Sequence, residues 1–427
     1  MISHHHNRRR LQKDAEAEAA PCVRNLARWA DAVAEIRSWP EYQPQPLRSL
    51  PFAAMELGIT SLLYKDESRR FGPSVASYKA LGAPYALYRI LAKEVQSRTG
   101  GESPSSAELR SGKYRHITEQ VTVCVSTDGN QGTALAYGAR LFGCRCIVYI
   151  HKDVNLNRTQ RIKNLGAIVI RVDGDHAVSV ERAREDAHMN DWKFVSSLSW
   201  GNFEDDIPQH IMNAYMMLVE ETVSAIDDVQ NITHVFVCGG MGSISTIIFL
   251  GLYFHIQEDL KRRQAANLLD AATMPRFIVV EPSEADCLLE SAKKGSPQVT
   301  KGSLGTVMAG LACRSPSPAA WKILAWLASD FVAVPDSVAV HGMKALAGGQ
   351  QGMDIPVVCG ESSAATMGVL IEARKDRSLC EKIGLGPDSQ VLLFGLEGAT
   401  DPDSYRGLVG TSPEIVFGAQ SQYLSDN

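Results

Sequence analysis

Lys79 stands where a polar, glycine-broken stretch, Lys65-Asp66-Glu67-Ser68-Arg69-Arg70-Phe71-Gly72, gives way through Ser77-Tyr78 to an Ala/Leu/Tyr-rich helical pattern. A primary amine at a helix start and among apolar neighbours is easier to deprotonate, because desolvation and the positive helix end both lower its pKa. Such an amine can serve as a nucleophile. Taken alone it could equally be an ordinary surface lysine that begins a helix. A second stretch, Val235-Phe236-Val237-Cys238-Gly239-Gly240-Met241-Gly242-Ser243-Ile244-Ser245, is an apolar strand feeding a glycine turn and a helix. Backbone N–H groups there can wrap an anion, with Ser243 and Ser245 as extra donors and the helix N-terminus adding a favourable field. No Gly-Lys-Ser/Thr follows, so it is not a Walker loop, and the dinucleotide fingerprint is incomplete. A tight structural turn is the competing reading.

The loop Ser126-Thr127-Asp128-Gly129-Asn130-Gln131-Gly132 has the same strand-to-helix position in another unit. Its N–H groups can hold a carboxylate, and Asn130 can hydrogen-bond a ring substituent. Asp128 opposes anion binding unless it is protonated or moves protons; otherwise it is a helix N-cap. Glu397-Gly398, after the last strand, and Gly360-Glu361-Ser362-Ser363 are acidic turns of the same kind, each alone readable as a cap or a solvated loop.

Positioning these residues requires alternating strands and helices. Strands are expected at 61–65, 121–125, 146–150, 168–172, 234–237, 277–281 and 390–394. Helices are expected at 25–39, 78–95, 133 onward, 157–165, 177–189, 207–226, 321–327, 338–347 and 364–375. The βαβα rhythm with apolar strands argues for parallel sheet covered by helices. Residues 98–113, rich in Gly, Ser and Pro, read as an exposed connection. Residues 1–24 read as a flexible or loosely docked leader, and the tail after Pro413 as partly loose. The His4–His6 and Arg8–Arg10 runs are set aside from the functional reading.

The 427 residues are ample for a large core, and a net charge of -5 disfavours nucleic acid or anionic membrane as a partner. Nine cysteines without disulfide or zinc spacing read as free thiols in a reducing compartment, and no metal site is expected. Cys144 and Cys146 read as packing residues. No secretory signal is visible, and a cytoplasmic location is expected. Residues 235–254 carry no charge, but Gly239, Gly240 and Gly242 would break a membrane helix.

Taken in order, the lysine after Lys-Asp-Glu-Ser-x-Arg-Phe-Gly, then Ser-Thr-Asp-Gly-Asn-x-Gly, then Gly-Gly-Met-Gly-Ser resemble the fold-type II pyridoxal-phosphate enzymes. Asp128, Thr306-Val307-Met308-Ala309-Gly310-Leu311-Ala312-Cys313 and Leu396-Glu397-Gly398-Ala399-Thr400-Asp401-Pro402 narrow the resemblance to the diaminopropionate ammonia-lyases. It extends over about residues 47–407. It implies an α/β fold of two open, twisted, mostly parallel sheets flanked by helices. The large domain would comprise 25–88 and 225–427, and the small domain 89–224. It further implies pyridoxal 5′-phosphate as cofactor, a small amino acid as substrate and a homodimer. Lys79 would hold the cofactor covalently and take the α-proton, Asn130 would contact its ring hydroxyl, and Gly239, Gly240, Met241, Gly242 and Ser243 would grip its phosphate. Asp128 would act as acid or base while a β-amino group leaves, giving pyruvate and ammonia.

Three departures accompany the likeness. Gln131 replaces the family's histidine. Ser197, in Val195-Ser196-Ser197-Leu198-Ser199-Trp200, stands where the ammonia-lyases carry a second catalytic aspartate associated with the D-substrate. Leu396 occupies the position of a Ser or Thr that meets the ring nitrogen. These changes keep two alternatives open: β-replacement, or racemisation with reprotonation from a hydroxyl such as that of Ser197. A non-catalytic small-molecule binder is more remote.

Overall fold

The computed structural model describes residues 2–127, 129–152, 154–174, 176–266 and 274–426. Eleven strands are present among them: β1 (Ser3–His6), β2 (Leu47–Ser49), β3 (Ser61–Asp66), β4 (Thr122–Ser126), β5 (Arg145–His151), β6 (Ile168–Val172), β7 (Lys193–Phe194), β8 (His234–Cys238), β9 (Arg276–Pro282), β10 (Asp330–Val334) and β11 (Gln390–Gly395). They form two sheets. The larger has the order β1-β10-β9-β8-β11-β3-β2, parallel throughout except for its two antiparallel edge strands. The smaller, β6-β5-β4-β7, is wholly parallel. Every residue of β8 and β10 is buried, as expected for parallel strands covered on both faces.

β11 lies between β8 and β3, so the chain leaves three adjacent strand ends in one place. From β3 it runs to Lys79, from β8 into the glycine turn, and from β11 into Glu397. The carboxyl edge of a parallel sheet is where such folds bind ligands. The two units touch through the helices Lys79–Thr99, Asn130–Phe142 and Asp206–Ser224.

Several expected boundaries move. Residues 2–26 are not a loose leader. β1 pairs with β10, and helix Lys13–Leu26 packs on helix Pro318–Leu327 through buried Ala15, Ala19, Cys22 and Leu26. That spacing is helical, but three small side chains among glutamates give a weak apolar signal. The tail forms helix Pro413–Asp426, tied down by Gln420 Nε2 donating 2.9 Å to the Pro356 carbonyl. Within 98–113, Ser105 and Glu108 make a capping box for helix Ser106–Arg110. β10 escapes the pattern because its apolar run continues from the preceding helix and opens on an aspartate. Asp330 is nonetheless buried, meeting Arg276 at 2.8 Å and His4 at 2.9 Å.

Beneath the lysine loop lies a buried ionic cluster. Lys65 Nζ donates 2.6 Å to Glu221, on helix Asp206–Ser224, and 2.6 Å to the Gln45 carbonyl. Arg70 forks onto Glu67 at 2.7 and 2.9 Å and onto Glu221 at 2.8 Å through each terminal nitrogen. The Gln45 N–H and the Tyr42 hydroxyl complete Glu221 at 2.9 and 3.0 Å. Burial pushes the Glu221 carboxyl up, but Arg70 and Lys65 outweigh it and hold it down at about 2. Its contribution is therefore fully present above its ordinary pKa of 4.5 and is lost as pH falls toward 2. Replacing Glu221 with leucine strands the buried Lys65 and leaves the buried Arg70 with Glu67 alone. Chemical denaturation at neutral pH is expected to show a loss of about 3–5 kcal/mol, whereas a loss under about 1 kcal/mol would mark the cluster as surface-like.

Candidate active site

Lys79 opens its helix on a cavity of about 190 Å³, lined also from the ends of β4, β8 and β11. The preceding turn is held by a stitch to the loop after β11. Tyr78 N–H donates 3.0 Å to the Leu396 carbonyl, and Gly398 N–H donates 2.9 Å to the Ala76 carbonyl. Ala76 itself is held at φ +46°, a left-handed conformation that costs an alanine roughly 1–2 kcal/mol. Burial pushes the Lys79 amine below its ordinary pKa, partly countered by Cys313, Cys238 and Glu397 nearby. Its Nζ lies 5.0 Å from the centroid of the Tyr78 ring and 5.9 Å from that of Tyr215.

The glycine turn follows β8 and leads into helix Ser243–Ala265. A Cβ on Gly239 would lie 2.7 Å from Glu281 Cγ, and Gly242 has φ +94°, so neither accepts a side chain without strain. Glu281 lies under this turn with its carboxylate oxygens accepting from Leu288 and Leu289 N–H at 3.0 and 2.8 Å. Burial raises its pKa to about 8, so at neutral pH it is uncharged and does not repel an anion above it. Ser197 is brought to the same corner. Its Oγ accepts from Ser243 Oγ at 3.4 Å and lies 3.9 Å from Met241 Sδ.

Opposite, Asn130 begins helix Asn130–Phe142 and its Nδ2 donates to Glu397 Oε2. Glu361 begins helix Glu361–Lys375 and accepts from Arg158 at 3.0 Å. Burial raises the Glu361 carboxyl to about 7, with Glu397 adding to the rise and Arg158 opposing it. Leu396 is buried in the cavity wall, where its N–H donates 2.9 Å to Ser363 Oγ. Ser362 Oγ and both polar atoms of Gln131 are buried in this wall without a hydrogen-bond partner. Asp128 lies outside the described residues. Lys79, Asn130, Ser197, Gly239, Gly240, Met241 and Ser243 line the one cavity, with Gly242 in the turn beside it. Ser245, expected as an extra donor, does not line it, its hydroxyl donating 3.2 Å to the Gly242 carbonyl. Among the described residues no cluster of three or more His, Cys, Asp or Glu side chains could hold a metal ion.

Two arginines escaped the sequence reading. Arg158 and Arg161 stand three apart on helix Leu156–Asn164, and that spacing was the available signal. Arg161 binds only backbone. It donates to the carbonyls of Ser74 at 2.8 Å, Val75 at 2.6 Å and Pro73 at 3.3 Å before Lys79, and to Thr400 at 2.7 Å after β11. Burial with no carboxylate in hydrogen-bonding contact lowers its pKa to about 10, so it stays charged at neutral pH.

Removing this clasp, as Arg161→Ala, is expected to cost about 2–3 kcal/mol in urea denaturation and to weaken cofactor retention. Arg161→Lys is expected to recover only part, because one ammonium cannot span the same fork. Glu361 yields a pH test. A carboxyl raised in the fold loses stability relative to the unfolded chain as pH rises from about 4.5 to about 7, and no further above that. Thermal midpoints of Glu361→Gln across that window are expected to lack this component of the decline.

The observed cavity fits pyridoxal 5′-phosphate: an anion cradle over a neutral carboxyl, a desolvated lysine, and an unpartnered buried hydroxyl. Comparison with known proteins agrees. A family model described as pyridoxal-phosphate dependent enzyme matches residues 39–393. The chain is 33% identical over 379 residues to the diaminopropionate ammonia-lyase of Escherichia coli strain K12, covering 88% of this chain and 89% of that one. It is 30% identical over 416 residues to the Salmonella typhimurium LT2 enzyme of that name, with 96% and 98% covered. The holo structure of the Escherichia coli ammonia-lyase superposes with a TM-score of 0.77 at 29% identity, covering 96% of each chain. Its complex with D-serine gives 0.79 at 29% identity, covering 96% of this chain and 97% of that one. A threonine deaminase isoform of Solanum lycopersicum, 16% identical with a TM-score of 0.61 over 90% of this chain and 94% of that one, shares the fold. With three adjacent strand ends supplying a desolvated lysine, an anion cradle and an acidic wall, and with the match running through most of the chain, this protein belongs to the pyridoxal-phosphate-dependent enzymes of fold type II.

Proposed function

We propose that this enzyme eliminates ammonia from L-2,3-diaminopropionate, giving pyruvate and ammonia. The observation that carries the reading is the placing of Lys79 opposite two carboxylates, Glu361 and Glu397, in one cavity, in a chain similar throughout to diaminopropionate ammonia-lyases. Lys79 would carry the cofactor, Gly239 to Ser243 would hold its phosphate, Asn130 its ring hydroxyl, and Ser362 or Ser363 its ring nitrogen in place of the apolar Leu396. When bound, pyridoxal phosphate supplies an electron sink conjugated to the substrate's α-carbon.

The residues then divide the work. N–H groups of the loop from Ser126 to Gly132 orient the α-carboxylate. Lys79, its amine desolvated and lowered, takes the α-proton. The acidic wall attracts the β-ammonium, and Asp128 keeps that nitrogen protonated until it leaves as ammonia. The enamine released tautomerises and hydrolyses to pyruvate and a second ammonia. Ser197, hydrogen-bonded to Ser243, supports the cradle and is no general base, so the L-isomer is the substrate.

The two sheets support a division into a large domain, 25–88 with 225–427, and a small one, 89–224, although helix Lys79–Thr99 runs unbroken across that boundary. Among the described residues no disulfide joins the cysteines, which supports a cytoplasmic setting, and the resemblance supports a homodimer. No helix of the described residues is long and apolar enough to cross a membrane.

Incubation of the holoenzyme with L-2,3-diaminopropionate is expected to release pyruvate and ammonia, with the D-isomer at least about 100-fold slower for want of a second base. Lys79→Ala is expected to lose both turnover and the borohydride-bleachable yellow chromophore. A coloured enzyme that releases neither product from diaminopropionate, serine or threonine would overturn the lyase reading.

A further inference from the structure

Gln131 is the second residue of helix Asn130–Phe142 and lines the cavity beside Asn130. The two neighbouring carboxamides differ in one respect. Asn130 is engaged with Glu397, while Gln131 has its Nε2 donor and its Oε1 acceptor both excluded from solvent and both without a hydrogen-bond partner. Two buried polar atoms left unpaired are unfavourable, and a ligand that pairs them removes that penalty on binding. A hydroxyl such as Ser362 can turn to suit many partners. A planar carboxamide cannot, because its donor and acceptor are fixed side by side. Its complement must offer an acceptor and a donor a similar distance apart.

Resting on the proposed reaction, we propose that Gln131 reads both ends of a 2,3-diamino acid, Nε2 donating to the α-carboxylate and Oε1 accepting from the β-ammonium. The α-carboxylate is already assigned to the backbone of this loop, which brings it within reach of the adjoining side chain. A charged donor on the β-carbon pairs Oε1 more strongly than serine's neutral hydroxyl. Alanine leaves Oε1 unpaired altogether. Gln131 is thus the residue that sets preference for a β-amino over a β-hydroxy or β-methyl amino acid, a role the residue type carries and the loop backbone cannot.

The test uses the holoenzyme, with KM for L-2,3-diaminopropionate and the inhibition constant of L-alanine measured on the same preparations. Gln131→Met removes donor and acceptor at similar size. Both constants rise, and the one for diaminopropionate rises about tenfold more. Gln131→Glu keeps an acceptor and repels the carboxylate, so alanine is lost while diaminopropionate is largely retained. Ligand-free cofactor absorbance unchanged in both variants, and a thermal midpoint in Gln131→Met no lower than that of the wild type, establish that fold and cofactor loading are intact. An active wild type whose Gln131→Met variant keeps the same ratio of constants overturns the role of Gln131 and leaves the proposed reaction standing. A wild type that releases no pyruvate from diaminopropionate overturns the reaction, and the assignment of Gln131 with it.

Discussion

Lys79 is held in place by charges that lie outside the cavity it lines. Lys65 and Arg70 bracket the stretch leading to Lys79, and both are pinned by Glu221 from a helix more than a hundred residues later in the chain. Arg70 is only 1% exposed, so the cluster exists only when all its members are present. Replacing such a cluster by apolar side chains is often tolerated energetically, whereas removing one member is not. Its value here is geometric. The forked guanidinium fixes the direction in which the chain departs from β3, and the stitch from Tyr78 and Ala76 to the loop after β11 fixes where it arrives.

The site is then completed by groups whose charge state is set one layer away. Burial raises the Glu281 carboxyl to about 8 beneath the glycine turn, against the opposing pull of the Leu288 and Leu289 N–H groups, and leaves it largely protonated at neutral pH. Burial raises the Glu361 carboxyl to about 7, with Glu397 adding to the rise and Arg158 opposing it. Arg161 remains charged while bound to carbonyls alone, joining the small sheet's helix to both loops that frame Lys79. Two surroundings thus share one small cavity: a glycine turn with its helix N-terminus at Gly239 to Ser243 and an acidic wall at Glu361 and Glu397.

Most of this arrangement was legible in the sequence, and the reasons are specific. The glycine turn after β8 and the loop after β4 are local, so strand pattern, glycine spacing and helix start appear together within a dozen residues. Lys79 became identifiable only through its order relative to those two loops. What stayed hidden depends on distant partners. Nothing near Arg161 announces that its ligands are four carbonyls, and nothing near Glu221 reveals its two cations. β1, β2 and β10 escaped because they are short, or continue a helical apolar run, and take their meaning from the strand they join. The N-terminal helix was obscured by the small size of Ala15, Ala19 and Cys22.

The two edge strands carry a further consequence. β1 and β2 are four and three residues long and run antiparallel to the strands they cover. A long parallel edge would present a continuous row of unpaired N–H and C=O groups to any passing chain. Here each margin of the seven-stranded sheet closes on a fragment too short to template another strand. Edge-to-edge pairing between copies is thereby disfavoured at both margins of the large sheet.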